Sequence, residues 1–196
     1  MKNLFDLATK ELSQDAILRW IFENWDDNDI KDLVNDLLKE FCKFSDEKID
    51  KIVTSSQWKH TDVSILIITN IRKVVLFIED KTFTQEHNQL DSYNQHIQKC
   101  ENEEYDVYKV FYKTSTIDDD EIKRVESAGW KIYDIEKIYY LFKKYLNSSN
   151  LILKQYAEYL KKLFEASRNE EKPTSNEGNI DILKWKSFFK KNLFLY

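Results

Sequence analysis

Glycine and proline are scarce in this chain, which has 2 glycines and 1 proline among 196 residues. Turn-rich architectures such as all-β sandwiches need many of these residues, so their scarcity favours helices and longer strands. It also argues against a glycine-rich phosphate loop and a serine-elbow motif, because both require glycine at fixed positions. The chemistry of this protein therefore has to come from other side chains.

Cysteine and histidine are also rare. Cys42 and Cys100 lie far apart without a CxxC spacing, which predicts reduced thiols of the cytoplasm rather than a disulfide framework. His60, His87 and His96 lack the spacing of a zinc motif. The N-terminal segment has acidic residues where a signal peptide needs its apolar run, and no window has the roughly 20 apolar residues of a membrane span. We therefore expect a cytoplasmic protein that does not bind membranes.

The charge balance does not by itself identify a partner. A net charge of -5 argues against a protein that coats nucleic acids indiscriminately, although a local basic channel is compatible with it. The length and the hydrophobic content of 42% fit one main domain with one sizeable core.

The spacing of apolar residues predicts the element order ααβββαβαβ and an α/β fold with a mixed central sheet. Two amphipathic helices come first, over about residues 6–25 and from Asp29 onward. Three strands rich in Ile, Val and Thr follow as a meander, with a short turn at Asn70 before the third. The remaining segments are a helix from Thr84, a strand from Tyr105, a helix that stops at Gly129 and a strand from Trp130.

The C-terminal part predicts further helices outside that sheet. The segment "RNEEKPTSNEGN", residues 168–179, is polar, contains the proline, and is the predicted linker after a domain of residues 1–167. Residues 180–196 predict a basic amphipathic helix, which we expect to dock on the main body or on a second subunit of a homo-oligomer. Binding to anionic lipid is the less favoured alternative for such a helix.

Charged residues end a very apolar predicted strand, "VLFIEDK", residues 75–81. Alternate residues share a face, so Glu79 and Lys81 project to one side and Asp80 to the other. Asp62 opens the preceding strand, so we expect Asp62, Glu79 and Lys81 to converge at one edge of the sheet. Two adjacent carboxylates repel, and a divalent cation with oxygen ligands is the ordinary way to hold both ionised. Asp62, Glu79 and the backbone carbonyl of Asp80 are the predicted metal ligands, and Lys81 is placed to orient a water or neutralise phosphoryl charge.

Two alternatives do not require a function. Glu79 and Lys81 could form an ion pair at an exposed strand end, with Asp62 in a turn. The following helix carries Gln85, Gln89 and Tyr93 at spacings of four, which suit contacts with phosphate oxygens or base edges. The less favoured alternative for this row is a polar helix face in water.

The ordered set of these residues resembles the PD-(D/E)XK nuclease superfamily, in its defence-associated branch with a QxxxY motif. The motifs are Asp62 in "HTDVSI", Glu79 and Lys81 in "EDK", Gln89 and Tyr93 in "QLDSY", and the opening "KELSQDAILRWIF" with Glu11 and Ser13. The resemblance covers about residues 9–134. The proline of the "PD" motif is absent, because His60 and Thr61 stand before Asp62.

The resemblance implies a restriction-endonuclease-like αβββαβ core and Mg²⁺-dependent hydrolysis of phosphodiester bonds, with Mn²⁺ able to replace Mg²⁺. DNA is the expected substrate, and phage defence the expected setting. Glu11 would complete the acidic cluster with Asp62 and Glu79, while Gln89, Tyr93 and Gln85 would contact the nucleic acid. The alternative from a different class is a catalytically silent module that keeps the nuclease fold for binding, because fold does not dictate function.

Overall fold

A mixed sheet with helices on both faces forms the centre of the computed structural model, which describes residues 3–7, 11–56, 61–82, 89–101 and 105–168. The strands are β1 (Ile49–Ser56), β2 (Val63–Thr69), β3 (Lys73–Lys81), β4 (Asp106–Lys113) and β5 (Lys131–Tyr133). The α-helices are α1 (Glu11–Glu23), α2 (Lys31–Cys42), α3 (Gln89–Glu101), α4 (Asp119–Ser127), α5 (Ile135–Phe142) and α6 (Leu151–Arg168). Two short 3-10 turns cover Leu4–Asp6 and Lys143–Asn147.

The sheet has the strand order β1-β2-β3-β4-β5 within the described residues. The first three strands pair antiparallel, whereas β3 pairs with β4 and β4 with β5 in parallel. Parallel neighbours need a crossover, and α3 and α4 supply the two crossovers. The predicted order ααβββαβαβ, the meander and the mixed sheet are therefore confirmed.

Strand β3 is covered on both faces. Val74, Leu76 and Ile78 belong to the larger hydrophobic core, which includes residues of α1, α2, α5 and α6. Val75 and Phe77 belong to a smaller core with residues of α3 and α4. Burial on both faces explains why β3 reads as a continuous apolar run instead of an alternating pattern.

Local sequence fixes helix α4 beside the end of β4. The Asp118 side chain accepts hydrogen bonds from the backbone N–H groups of Asp120 and Glu121, at 3.1 and 2.8 Å, and so caps the N-terminus. Gly129 follows the helix with φ of +77°, a left-handed conformation that glycine adopts without steric cost. The predicted stop at Gly129 is confirmed.

The C-terminal helices extend beyond the core predicted from the resemblance. Helix α6 packs against α5, against the turn 143–147 and against the N-terminal turn Leu4–Asp6. Arg168, the first residue of the predicted linker, is the last residue of α6. Its guanidinium carbon lies over the ring of Phe164, 5.4 Å from the ring centroid. The remainder of the predicted linker and the predicted helix 180–196 lie outside the described residues. No helix in the described ranges is long and apolar enough to span a membrane.

Candidate active site

The β2–β3 hairpin brings the first two predicted acids together. The antiparallel register pairs Val63 with Ile78, and one further residue along each strand places Asp62 opposite Glu79. Asp62 Oδ2 also accepts a hydrogen bond from the backbone N–H of Asp80 at 2.9 Å. The two carboxyl groups therefore share one face of the sheet at the open end of the hairpin, away from its turn.

The segment before β2 holds Asp62 in place. Thr61 and Ser64 are both buried, and their hydroxyl oxygens lie 2.8 Å apart across Asp62 in the chain. This side-chain hydrogen bond joins the residue before Asp62 to the second residue of β2. Hydroxyl groups commonly fix a local backbone conformation in this way. The hydrogen bond between Thr61 and Ser64 therefore holds the backbone of Asp62 in place.

Lys81 forms an ion pair with Glu79 on that face. Lys81 Nζ lies 2.8 Å from Glu79 Oε1, and the side chains of Lys81 and Glu79 are 10% and 1% exposed. The ion pair of the alternative interpretation is therefore present, but the strand end that carries it is buried and not exposed. Helices α3 and α4 cover this face, as the smaller core shows.

The electrostatics of the site favour a proton or a cation on the acid pair. Burial raises the pKa of Glu79 to about 8, and the negative charge of Asp62 adds to the rise, while Lys81 opposes it. Burial is the larger cause of this rise and the second carboxylate the next, and both disfavour the ionised form of Glu79. A divalent cation could take the place of the proton.

Asp80 occupies the opposite face of the same strand, as the alternation of side chains predicts. Its side chain is fully buried. Burial raises the pKa of the phenols of Tyr112, Tyr156 and Tyr159, and the negative charge of Asp80 raises it further. Asp80 therefore faces a cluster of tyrosines, and only its backbone is directed to the Asp62 side of the hairpin.

The remaining predicted residues are placed less completely. Glu11 is the first residue of α1, and its side chain lies outside the described residues, as does all of Gln85. Gln89 is exposed at the start of α3. Tyr93 is half-buried against the smaller core, with its ring edge-on to Trp130 at a centroid distance of 6.5 Å. The predicted amide and phenol row thus spans an exposed and a partly buried position.

A second buried ion pair lies next to the first and was not predicted. Lys113 Nζ lies 3.1 Å from Glu121 Oε1, and the two side chains are 2% and 1% exposed. Lys113 pairs with Lys81 in the parallel β3–β4 register, so both lysines occupy the same face. The sequence carries a signal for this position, because each strand ends its apolar run with a lysine followed by a threonine.

The described acids of the site form a pair and not a complete metal centre. Among the side chains that the structure describes, no three of the types His, Cys, Asp and Glu converge as metal ligands. The donor set of Asp62 and Glu79 consists of carboxylate oxygens, which suit a hard cation such as Mg²⁺. Comparisons with protein-family models, with curated proteins and with solved structures give no match.

Proposed function

We propose that this protein is a metal-dependent nuclease with a restriction-endonuclease-like core, which hydrolyses phosphodiester bonds in DNA. The observation that carries the proposal is the gathering of Asp62, Glu79 and Lys81 on one buried face of the β2–β3 hairpin. The order of helices and strands and the resemblance of the motifs to the PD-(D/E)XK superfamily support it.

The acid pair fits a divalent cation. Asp62 and Glu79 place two carboxyl groups beside the ammonium of Lys81, and burial, followed by the negative charge of Asp62, raises the pKa of Glu79. Asp62, Glu79, the Asp80 carbonyl and Glu11 would hold Mg²⁺, with Mn²⁺ as a substitute. When bound, the cation would act as a Lewis acid that polarises a phosphoryl oxygen and lowers the pKa of a bound water.

The protein's own groups have separate tasks in this proposal. The ammonium of Lys81, held by Glu79, would orient the attacking water and neutralise charge on a phosphoryl oxygen. Gln89, at the exposed start of α3, would donate a hydrogen bond from its side-chain amide to a phosphate oxygen of the nucleic-acid backbone. Tyr93 and Gln85 would add contacts from the same segment.

Substitution of the site lysine tests the proposal. Cleavage of linear DNA should require Mg²⁺ or Mn²⁺, and Lys81→Met should reduce its rate by at least about 100-fold, the lower end for a group that assists proton transfer. Lys73→Met is a matched control, because Lys73 begins the same strand and its exposed side chain lies over Tyr105, 6.0 Å from Nζ to the ring centroid. Circular dichroism should show both variants folded.

The outcomes separate the two functional classes. A folded Lys81→Met protein with full activity would remove Lys81 from the reaction. Absence of metal-dependent cleavage of both DNA and RNA by the wild-type protein would favour the alternative, a catalytically silent module that uses the fold for binding.

A further inference from the structure

A buried chain of hydrogen bonds lies on the far face of the same strand end. Tyr156 of α6 donates its hydroxyl to Gln14 Oε1 of α1 at 2.7 Å, and its oxygen lies 3.0 Å from the hydroxyl of Tyr112 on β4. All three side chains are fully buried. Because an amide oxygen only accepts, Tyr156 uses its proton on Gln14 and accepts from Tyr112.

This chain touches the elements that supply the predicted metal ligands. Tyr112 pairs with Asp80 in the β3–β4 register, so the two side chains share a face. The backbone N–H of Asp80 in turn donates to Asp62. Helix α1 begins at Glu11, three residues before Gln14, so both belong to its first turn. Tyr156 therefore links α1 to β4, the neighbour of the strand β3 that carries Glu79.

We propose that Tyr156 is a positioning residue of the candidate site, through which α6 fixes the first turn of α1 against the ends of β3 and β4. This inference rests on the proposed function. Loss of the Tyr156 hydroxyl would remove both bonds and leave the buried Gln14 oxygen and Tyr112 hydroxyl without this partner. The relative position of the groups that hold the cation would then be less well defined.

Helix α6 offers a matched control for this residue. Tyr159 lies three residues later, is also buried, and its hydroxyl makes no hydrogen bond to any residue that the structure describes. Both rings pack near Phe5, with centroids 5.0 Å away for Tyr156 and 6.0 Å away for Tyr159. Tyr156→Phe and Tyr159→Phe therefore each remove one buried hydroxyl from the same aromatic cluster, but only the first breaks the chain.

A Mg²⁺ titration followed by the melting temperature of the full chain tests the inference without an activity assay. The apparent Mg²⁺ dissociation constant, obtained from the logarithmic rise of stability with Mg²⁺ concentration, should rise about tenfold in Tyr156→Phe, as when hydrogen-bond partners around metal ligands are removed elsewhere. It should be unchanged in Tyr159→Phe. A purely structural role would lower the melting temperature of Tyr156→Phe equally at every Mg²⁺ concentration and leave the apparent dissociation constant unchanged.

Three results would overturn the inference in distinguishable ways. A wild-type Mg²⁺ dissociation constant in Tyr156→Phe would reject the positioning role while the proposed function stands. A wild-type protein indifferent to Mg²⁺ would reject the cation site itself, and the positioning role with it. If Tyr156→Phe does not fold, Tyr112→Phe decides, because it removes only the donor at the end of the chain: a raised Mg²⁺ dissociation constant supports the inference and an unchanged one rejects it.

Discussion

Two lysine–glutamate ion pairs lie side by side on the face of the sheet that α3 and α4 cover, and they differ in their surroundings. Their N–O distances are 2.8 Å for Lys81 with Glu79 and 3.1 Å for Lys113 with Glu121. The first pair has Asp62 as an additional carboxylate, which contributes to the raised pKa of Glu79. Lys81 is also more exposed than Lys113, at 10% against 2%.

The difference shows which feature of a buried charge cluster points to function. A buried ion pair is weak evidence by itself, because such pairs also occur where they serve only the fold. Lys113 and Glu121 join β4 to α4 with one charge of each sign. Among the described side chains, Asp62, Glu79 and Lys81 bring two acids and one base together, an arrangement that suits a bound cation.

The largest expected effect separates the two lysines by stability. Lys113→Met removes one partner of a nearly inaccessible pair and should lower the free energy of unfolding by about 3–5 kcal/mol. Lys81→Met should cost markedly less, because Glu79, with its pKa raised to about 8, can bind a proton in place of the ammonium. Urea unfolding at neutral pH measures both losses.

The double variant Lys113→Met, Glu121→Met controls for the lost charge balance. It should recover part of the stability, because it removes the remaining buried carboxylate. Equal losses in Lys81→Met and Lys113→Met would instead show that the two pairs serve the same structural purpose.

The faces of β3 could be predicted from the sequence, whereas the second pair could not. Alternation along the strand separates Glu79 and Lys81 from Asp80, and the turn at Asn70 predicts the hairpin that brings in Asp62. Glu121 comes from a different helix, so its partner depends on how α4 packs against the sheet. The Tyr156–Gln14 bond joins residues 142 positions apart, and no local pattern predicts such a contact.

Helix α3 shows a similar limit. Its polar residues predict an exposed face, but Tyr93 packs against the smaller core while Gln89 is exposed. The spacing of residues gives their relative angle around a helix but not the rotation of that helix over the sheet.

A smaller expected effect concerns Asp62, the second carboxylate of the acid pair. Mg²⁺ at a hundredfold excess over its dissociation constant should stabilise the wild-type protein by about 2.7 kcal/mol, or a few degrees in melting temperature. Asp62→Asn should lose most of this gain. In chelator it should be slightly more stable than wild type, because one repelling charge is gone while the new amide oxygen can still accept from the Asp80 N–H.

Melting both proteins in chelator and in saturating Mg²⁺ distinguishes a cation site from a structural ion pair. A structural pair predicts the opposite sign in chelator, since Lys81 would lose a nearby negative charge. A less stable Asp62→Asn protein, together with a wild type indifferent to Mg²⁺, would make the Lys81 pair equivalent to the Lys113 pair.

The last expected effect, and the smallest for a step of one pH unit, is the pH dependence that the acid pair gives to the metal-free protein. The pKa of Glu79 rises from 4.5 to about 8 on folding, so between these values the folded protein holds a proton that the unfolded chain releases. The stability due to this proton is fully present at acidic pH and is lost as the pH rises through about 8. The free energy of unfolding, measured by denaturant titration in chelator, should therefore fall between about pH 5 and about pH 8, by at most about 1.4 kcal/mol per pH unit.

Glu79→Gln should remove this contribution, because it removes the titrating group. Asp62→Asn should reduce it only in part, because burial is the larger cause of the raised pKa and Asp62 the second. Saturating Mg²⁺ should also flatten the profile, since a cation on the carboxylates displaces the proton. A slope that persists unchanged in Glu79→Gln would assign the pH dependence to another group and leave Asp62 as a neighbour of the ion pair without an electrostatic role of its own.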